Sequence, residues 1–324
     1  DSAATLAGHG SLGLELLDDL PEMDAVLIAI GGGGLIAGVA CVLRKLNPRL
    51  VYCSISGFGQ TGEWAQRTAY APVLHAASGF DITNQEYQEN LERPLKAGIH
   101  IADVLGGCLA FGGVQAALVR CARTGKGDYV DLSLMDSMLG MLVYECQAAQ
   151  FPSDHKRPLF QPTRASDGFA LIAPVSQNTF EALARATGNP DWTTDPRFSN
   201  QAAEKNKGSN REQNWGLLMA LLDEWAGQRT ARECEEILSA AGVPCSRYFT
   251  VAEAMQQGPI VERGSFATVD DGAGSFKVPN PAFQFRNAAA HARNYVPALG
   301  ADTEAVLGEL LGYSADRISG LQTR

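Results

Sequence analysis

Residues 25–59 hold two unbroken apolar runs, "AVLIAI" and "RLVYCSISGFG", on either side of "LIAGVACVLRKL", whose apolar residues have helical spacing. Strand, helix, strand at that distance is a βαβ unit, and two strands joined through a helix run parallel. A parallel sheet has to be covered on both faces, so this pattern commits much of the chain to an α/β fold. Inside the unit stand four glycines, Gly31, Gly32, Gly33 and Gly34, ahead of a small-residue helix start. Bare glycine backbone can wrap an anion there, because its amides and the helix N-terminus converge on one spot. It serves equally well as a tight turn that needs positive φ. The residues alone leave both uses open.

Further along, residues 60–102 read as polar and loop-rich, and a long small-residue helix is expected from about Val104 to Arg123. The stretch "TGKGDY" closes it with a glycine turn, followed by a strand and another helix. That turn lacks the GxxxxGK[ST] spacing of a nucleotide-binding loop. A Pro-rich link, "FPSDHKRPLFQPTRASDG" (151–168), separates this half from the next. There "FALIAPVSQNTFEALARATG" gives a strand and a helix, 191–198 a turn cluster, and 210–242 two amphipathic helices with Trp215 and Trp225 at core spacing. "GVPCSRYFTVAEAM" restarts β–α structure, and "DG" at 271–272 marks a hairpin. The tail from 290 is a loop followed by one or two helices.

Composition narrows the function classes. With 26 basic and 36 acidic residues the 324-residue chain has a formal charge of −10 and no basic stripe, which argues against a nucleic-acid surface. Seven scattered cysteines form no CxxC pair, and five distant histidines show no metal-ligand spacing, so reduced core thiols in a cytoplasmic protein and no metal site are expected. No signal peptide and no apolar run of 18 residues stand out, so a soluble chain without a membrane partner is expected. Its first residue is Asp1 and its first methionine Met23, as if it began inside a longer polypeptide.

Two resemblances run through the chain. Residues 1–46, through "AGHGSLGLELLDDLPEMDAVLIAIGGGGLIAGVA", resemble the serine/threonine dehydratases that use pyridoxal phosphate, whose tetraglycine loop holds the cofactor phosphate. Lys45, the sole lysine of the segment, sits a helix length from the glycines, so the loop is read as vestigial and pyridoxal phosphate is not expected. From about Leu46 to the end the chain resembles the class III CoA-transferases. The stretches that carry this are "NPRLVYCSISGFGQTGEWA", "AYAPVLHAASGF", "HIADVLGGCLAFGGVQAALVRCARTGKGDYVDLSLMDSML", "ASDGFALIAPVSQNTFEAL", "AGVPCSRYFTVAEAM" and "KVPNPAFQFRN", in that order.

This second resemblance implies a parallel, Rossmann-like sheet domain with a smaller α+β domain. Its parts are the dehydratase-like segment 1–46 joined to the sheet, a large domain over 47–150, a small domain over 151–290, and 291–324 returning to the large domain. It also implies a homodimer that moves CoA from an acyl-CoA to a carboxylic acid, with coenzyme A as substrate and no permanently bound cofactor. Asp103, in "IADVLGG", matches the family's nucleophile; from position alone it reads equally as an N-cap aspartate. Tyr70 matches a position lining the CoA or acyl pocket. Gly106 and Gly107 are candidates for letting a thioester approach, although glycines there also read as helix-packing sites.

Related acyl-CoA racemases put a histidine where this chain has Tyr70, and racemisation needs two opposed acid/base groups. His75, five residues on, keeps a racemase or isomerase open as an alternative, and counts among the candidate substrate residues. A catalytically crippled fusion scaffold is a further alternative, and a pyridoxal-dependent dehydratase fragment a minor one. Asp131 and Asp136, one of them expected to cap a helix, and Ser54, Ser56, Lys126 and Arg164 are weaker candidates.

Overall fold

The computed structural model describes residues 38–40, 43, 47–88, 92–152, 159–201, 208–301, 303–310 and 312–322, with Leu12 and Leu14 as isolated helical residues. The expected strand 25–30, the glycines Gly31–Gly34 and Lys45 lie outside the described residues. The chain divides into two compact units, Asp1–Pro152 and Ser153–Arg324, the break falling at the start of the Pro-rich link.

In the first unit Gly38, Val39, Ala40 and Leu43 are helical, Val39 and Leu43 are buried, and Asn47 donates its amide to Leu43. Strand β1 (Tyr52–Ser56) follows, paired in parallel with β2 (Tyr129–Ser133) from Tyr52 opposite Tyr129 to Ser56 opposite Ser133. The two tyrosine rings stack 5.1 Å apart at the start of the pair. Between the strands run α1 (Ala71–Ala77), α2 (Phe80–Tyr87) and α3 (Ile101–Thr124); after them come α4 (Leu134–Met141) and α5 (Val143–Gln150). The mixed α/β fold with a parallel sheet is thus present.

The region read as loop contains α1 and α2. Pro72 opens α1 at a position where its missing amide costs nothing. Gly79, at φ 86°, makes the left-handed break between the two helices. The eight residues of α2, "FDITNQEY", bury only Phe80, so no apolar period marks them.

Helix α3 buries small residues: Ala102, Gly106, Ala110, Ala117 and Cys121. Their spacing by three or four, doubled between Ala110 and Ala117, puts them on one stripe. At Gly106 a Cβ would come 2.1 Å from Leu134 Cδ2, and at Gly113 3.1 Å from Val130 Cγ1, so the helix lies close over β2 and α4. Large apolar residues face outward instead, among them Val104 and Phe111, 63 % and 57 % exposed. By length and composition α3 could cross a bilayer, a test that sheet-covering helices also pass.

The second unit has its own sheet and core. Strands β3 (Pro162–Arg164), β4 (Phe169–Ile172) and β5 (Cys245–Arg247) form an antiparallel sheet in that order. Helices α6 (Gln177–Ala186), α7 (Trp215–Ala226) and α8 (Ala231–Ala240) supply Phe180, Leu183, Leu218, Leu222 and Leu238 to one core with Ile172 and Phe198. Trp225 belongs to that core and Trp215 packs against it. Capping boxes start α6 at Ser176 and α8 at Thr230. Strands β6 (Phe266–Asp270) and β7 (Ser275–Pro279) make the expected hairpin, its turn held by Asp271 Oδ1 accepting the amides of Ala273 and Gly274. The segment 291–324, expected to return to the large domain, groups with this unit. There Asp270 donates its amide to Asn294 and accepts from Val296.

Candidate active site

Asp103 is the third residue of α3, not its N-cap: that position belongs to His100, whose side chain makes no capping bond. The "HIADV" stretch enters the helix two residues before the aspartate, so the carboxylate rides on the first turn. Among the described residues the Asp103 side chain is exposed and has no hydrogen-bond or ion-pair partner. A carboxylate there gains from the helix dipole without being spent on a backbone amide.

The helix start is held elsewhere. Ile101 donates its amide to Ile99 at 2.9 Å and Val104 to His100 at 3.2 Å. Ala102, directly before the aspartate, donates its amide to Nε2 of His75 at 3.2 Å. An amide hydrogen aimed at Nε2 needs a lone pair there, which puts the imidazole proton on Nδ1. His75 lies in the last turn of α1, 1 % exposed, its ring 5.3 Å from that of Phe80. His75, expected as a substrate residue or as the acid/base of a racemase, is thus a buried ring whose Nε2 is engaged by a backbone amide.

Tyr70 precedes α1 as its N-cap in extended backbone, and its ring is 72 % exposed. Tyr70 stands five positions before His75, a rise of about 7.5 Å. The two candidate glycines part company. Gly106, expected to let a thioester approach, is buried, and a Cβ there would meet Leu134, so it packs the helix. Gly107 is exposed with nothing within 4 Å of a Cβ, and it stands four residues after Asp103 on the same helix face.

Polar residues at the middle of β1 and β2 brace the loop after β1. Gln60 Nε2 donates to the buried Ser54 hydroxyl at 2.7 Å, and the Gln60 amide donates to Asp131 Oδ2 at 3.1 Å. The amide of Met135 donates to the Gly57 carbonyl at 2.9 Å. The carboxylate of Asp131, together with burial of the thiol, pushes Cys53 above the ordinary thiol range, burial being the larger cause. Neither aspartate caps α4; Ser133 does, accepting the amide of Asp136 at 3.1 Å. Lys126 is exposed, and Arg164 lies over the Phe169 ring at 4.9 Å in the other unit. A cleft of about 490 Å³ in the second unit, lined by Met255, Ile260, Arg263, Phe266, Asn280 and Gln284 among others, contains none of the candidate residues. Among the described residues no three metal-ligating side chains are grouped to hold an ion.

The first turns of α3 thus carry an exposed acid without a partner, four residues before an open glycine. The model of CoA-transferase family III matches residues 40–303, and the chain belongs to that family. The acetyl-CoA:oxalate CoA-transferase of Acetobacter aceti is 32 % identical over 221 residues, 65 % of this chain and 54 % of that protein. The succinyl-CoA:glutarate CoA-transferase of Mus musculus is 24 % identical, covering 86 % of this chain and 64 % of its own length. The chain thus spans between half and two thirds of these relatives. A CAIB/BAIF family protein from Brucella suis superposes with a TM-score of 0.70 at 28 % identity, over 92 % of this chain and 78 % of that one. A hypothetical protein of Mycobacterium tuberculosis shares the fold with a TM-score of 0.75 at 20 % identity, over 91 % and 79 %.

Proposed function

We propose that this protein transfers coenzyme A between carboxylic acids, with Asp103 as the covalent nucleophile. The observation that carries the reading is an exposed, partnerless carboxylate in the first turn of α3, in a family III chain. The carboxylate attacks the thioester carbonyl, the C–S bond breaks, and CoA leaves as thiolate, giving an aspartyl mixed anhydride. The thiolate then attacks the aspartyl carbon and expels the donor acid, which takes the bridging oxygen with it. An aspartyl–CoA thioester remains. The acceptor carboxylate attacks that thioester, and the released thiolate takes the acceptor's acyl carbon, leaving acceptor-CoA and free Asp103. No water, metal or redox partner enters the balance.

On this reading Tyr70 lines the acyl or CoA path, and Gly107 keeps the surface one turn beyond Asp103 low enough for a thioester to reach it. Small dicarboxylic acids are the first acceptors to try, since oxalate and glutarate stand in the names of two relatives. We read the working form as a cytoplasmic homodimer; the large apolar residues on the outer side of α3 support a covered face, and sedimentation measures it. We assign no role to Gly31–Gly34.

The test is hydroxylamine trapping after addition of acetyl-CoA or succinyl-CoA. Wild-type protein should yield a hydroxamate on the Asp103 peptide, and Asp103→Ala none. Trapping that persists in Asp103→Ala overturns the assignment, and absence of both trapping and calorimetric CoA binding in wild type favours an inert scaffold. With ¹⁸O-labelled acceptor acid, one label should stay on Asp103 and pass to the donor acid over later turnovers, as the labelled oxygen becomes the attacking one.

A further inference from the structure

We propose that His75 is a positioning residue for the transfer reaction: its Nε2 holds the amide of Ala102 and thereby fixes where Asp103 stands. The inference rests on Asp103 being the nucleophile. It starts from the place where a buried histidine spends its acceptor. Helix starts leave their first amides without intrahelical partners, and a serine, threonine, aspartate or asparagine at the N-cap usually takes one. Here the N-cap is His100 and caps nothing. The amide next to the nucleophile goes instead to a side chain 27 residues earlier, on a different helix.

That bond is well fixed. His75 is buried with its ring 5.3 Å from that of Phe80, and Phe80 and Ala102 belong to one core with Ala71, Leu74, Met138 and Leu142. The Ser78 hydroxyl donates to its carbonyl at 3.2 Å, tying down the end of α1. Ala102 is itself fully buried, so its amide has no water to turn to. A donor left unsatisfied there must either pull the first turn of α3 out of place or stay buried without a partner. Either response is felt one residue on, at Asp103. Displacing a reacting group by about 1 Å is enough to cost on the order of a hundredfold in rate.

His75 also joins the two exposed candidates mechanically. Tyr70 begins α1 and Asp103 begins α3, so the His75–Ala102 bond sets the register between the helix that presents the phenol and the helix that presents the acid.

The experiment compares His75→Gln, His75→Asn and His75→Leu in the intact protein, with acetyl-CoA and oxalate or succinyl-CoA and glutarate as the probe pairs. Gln places an oxygen near the Nε2 position, Asn is too short to reach, and Leu has no acceptor. Melting is followed alongside, and rates are expressed per site that becomes trappable by hydroxylamine. Gln should keep kcat within about threefold of wild type. Asn and Leu should lower kcat about ten- to a hundredfold while KM changes little. Loss of active sites with an unchanged rate per site overturns the proposal in favour of a purely structural role. So does equal loss in Gln and Asn, and if Leu fails to fold the Gln–Asn pair still decides. Persistent activity in Asp103→Ala would sink the nucleophile itself, a separate result.

Discussion

Gly127 is where the geometry makes its largest quantitative demand. It lies between the left-handed Gly125 that ends α3 and the first residue of β2. An added Cβ would stand 1.9 Å from the Leu50 carbonyl oxygen, 2.4 Å from its carbon and 2.6 Å from the Arg49 carbonyl carbon. All three are backbone atoms, so no side chain can swing away. A carbon needs about 3.3 Å from a carbonyl oxygen, and the strands would have to part by more than 1 Å at the start of their pairing. Two backbone bonds span that point, Gly127 N to Pro48 O and Tyr52 N to Asp128 O, each 2.9 Å. Losing them costs about 1 kcal/mol each, and forced overpacking adds about 1–3 kcal/mol. Stiffening the unfolded chain returns about 0.4–1 kcal/mol. Gly127→Ala should therefore destabilise the first unit by roughly 3 kcal/mol, a fall in melting temperature of about 6–12 °C for a unit of this size. Gly125→Ala is the control: its φ of 71° is strained for alanine but the space is open, so the cost is about 1–2 kcal/mol. Urea and thermal unfolding measure both. Gly127→Ala within 1 kcal/mol of wild type, or less costly than Gly125→Ala, refutes the close-approach argument.

The thiols should separate by surroundings. Cys108 is exposed and should be the first described thiol to take iodoacetamide at neutral pH, whereas Cys245, pushed up to about 12 by burial with Cys234 and Glu235 beside it, should stay unlabelled in mass spectra of the native protein. Equal labelling of the two would contradict the burial. The glutamates of two capping boxes give a pH dependence. Glu233 accepts the amide and hydroxyl of Thr230, and Glu253 those of Thr250, which holds both carboxyls below the usual range. A carboxylate lowered on folding stabilises above its unfolded value, near 4.3, and that support is lost as pH falls through the lower folded value. Unfolding of the second unit followed from pH 7 to pH 3 should show their contribution flat above about pH 5 and declining below it. Glu233→Gln with Glu253→Gln should flatten part of that decline, and an unchanged acid limb would show that these caps do not carry it.

Much of the architecture was legible because it follows from period and punctuation. The runs around β1 and β2, the long α3, the second-unit strand and helices, and the hairpin at Asp271-Gly272 all carry local signals. The two short helices α1 and α2 did not, because seven or eight residues with few buried positions generate no readable period. Long-range placements were equally silent. Nothing local says that His75 is buried with its Nε2 on Ala102, or that Arg211 is buried under Phe180 with its guanidinium on Gln177. The pair Gly106-Gly107 looks uniform in sequence, and only the position of Leu134 tells packing glycine from open glycine. For the candidate site, residue types were readable and roles were not. Asp103 was visible as an acid near a helix start, but whether it caps depends on where the first turn begins, and no local signal places that start at Ile101 rather than at Val104.

The inversion of α3 ties these points together. A helix that covers a sheet ordinarily turns its largest apolar residues inward. This one turns Ala102, Gly106, Ala110, Ala117 and Cys121 inward and keeps Val104, Leu109 and Phe111 outside. Small inward residues let the axis lie close to β2 and α4. Closeness brings the first turn near enough to α1 for His75 to reach the Ala102 amide. That amide is taken from outside the helix, and Asp103, the third residue of α3, makes no capping bond. A bulkier inward stripe would hold α3 away from β2 and α4, since a Cβ at Gly106 already comes 2.1 Å from Leu134 Cδ2. The alanines and glycines of that stripe thus set how closely the helix carrying Asp103 approaches its neighbours, at positions remote from the carboxylate itself.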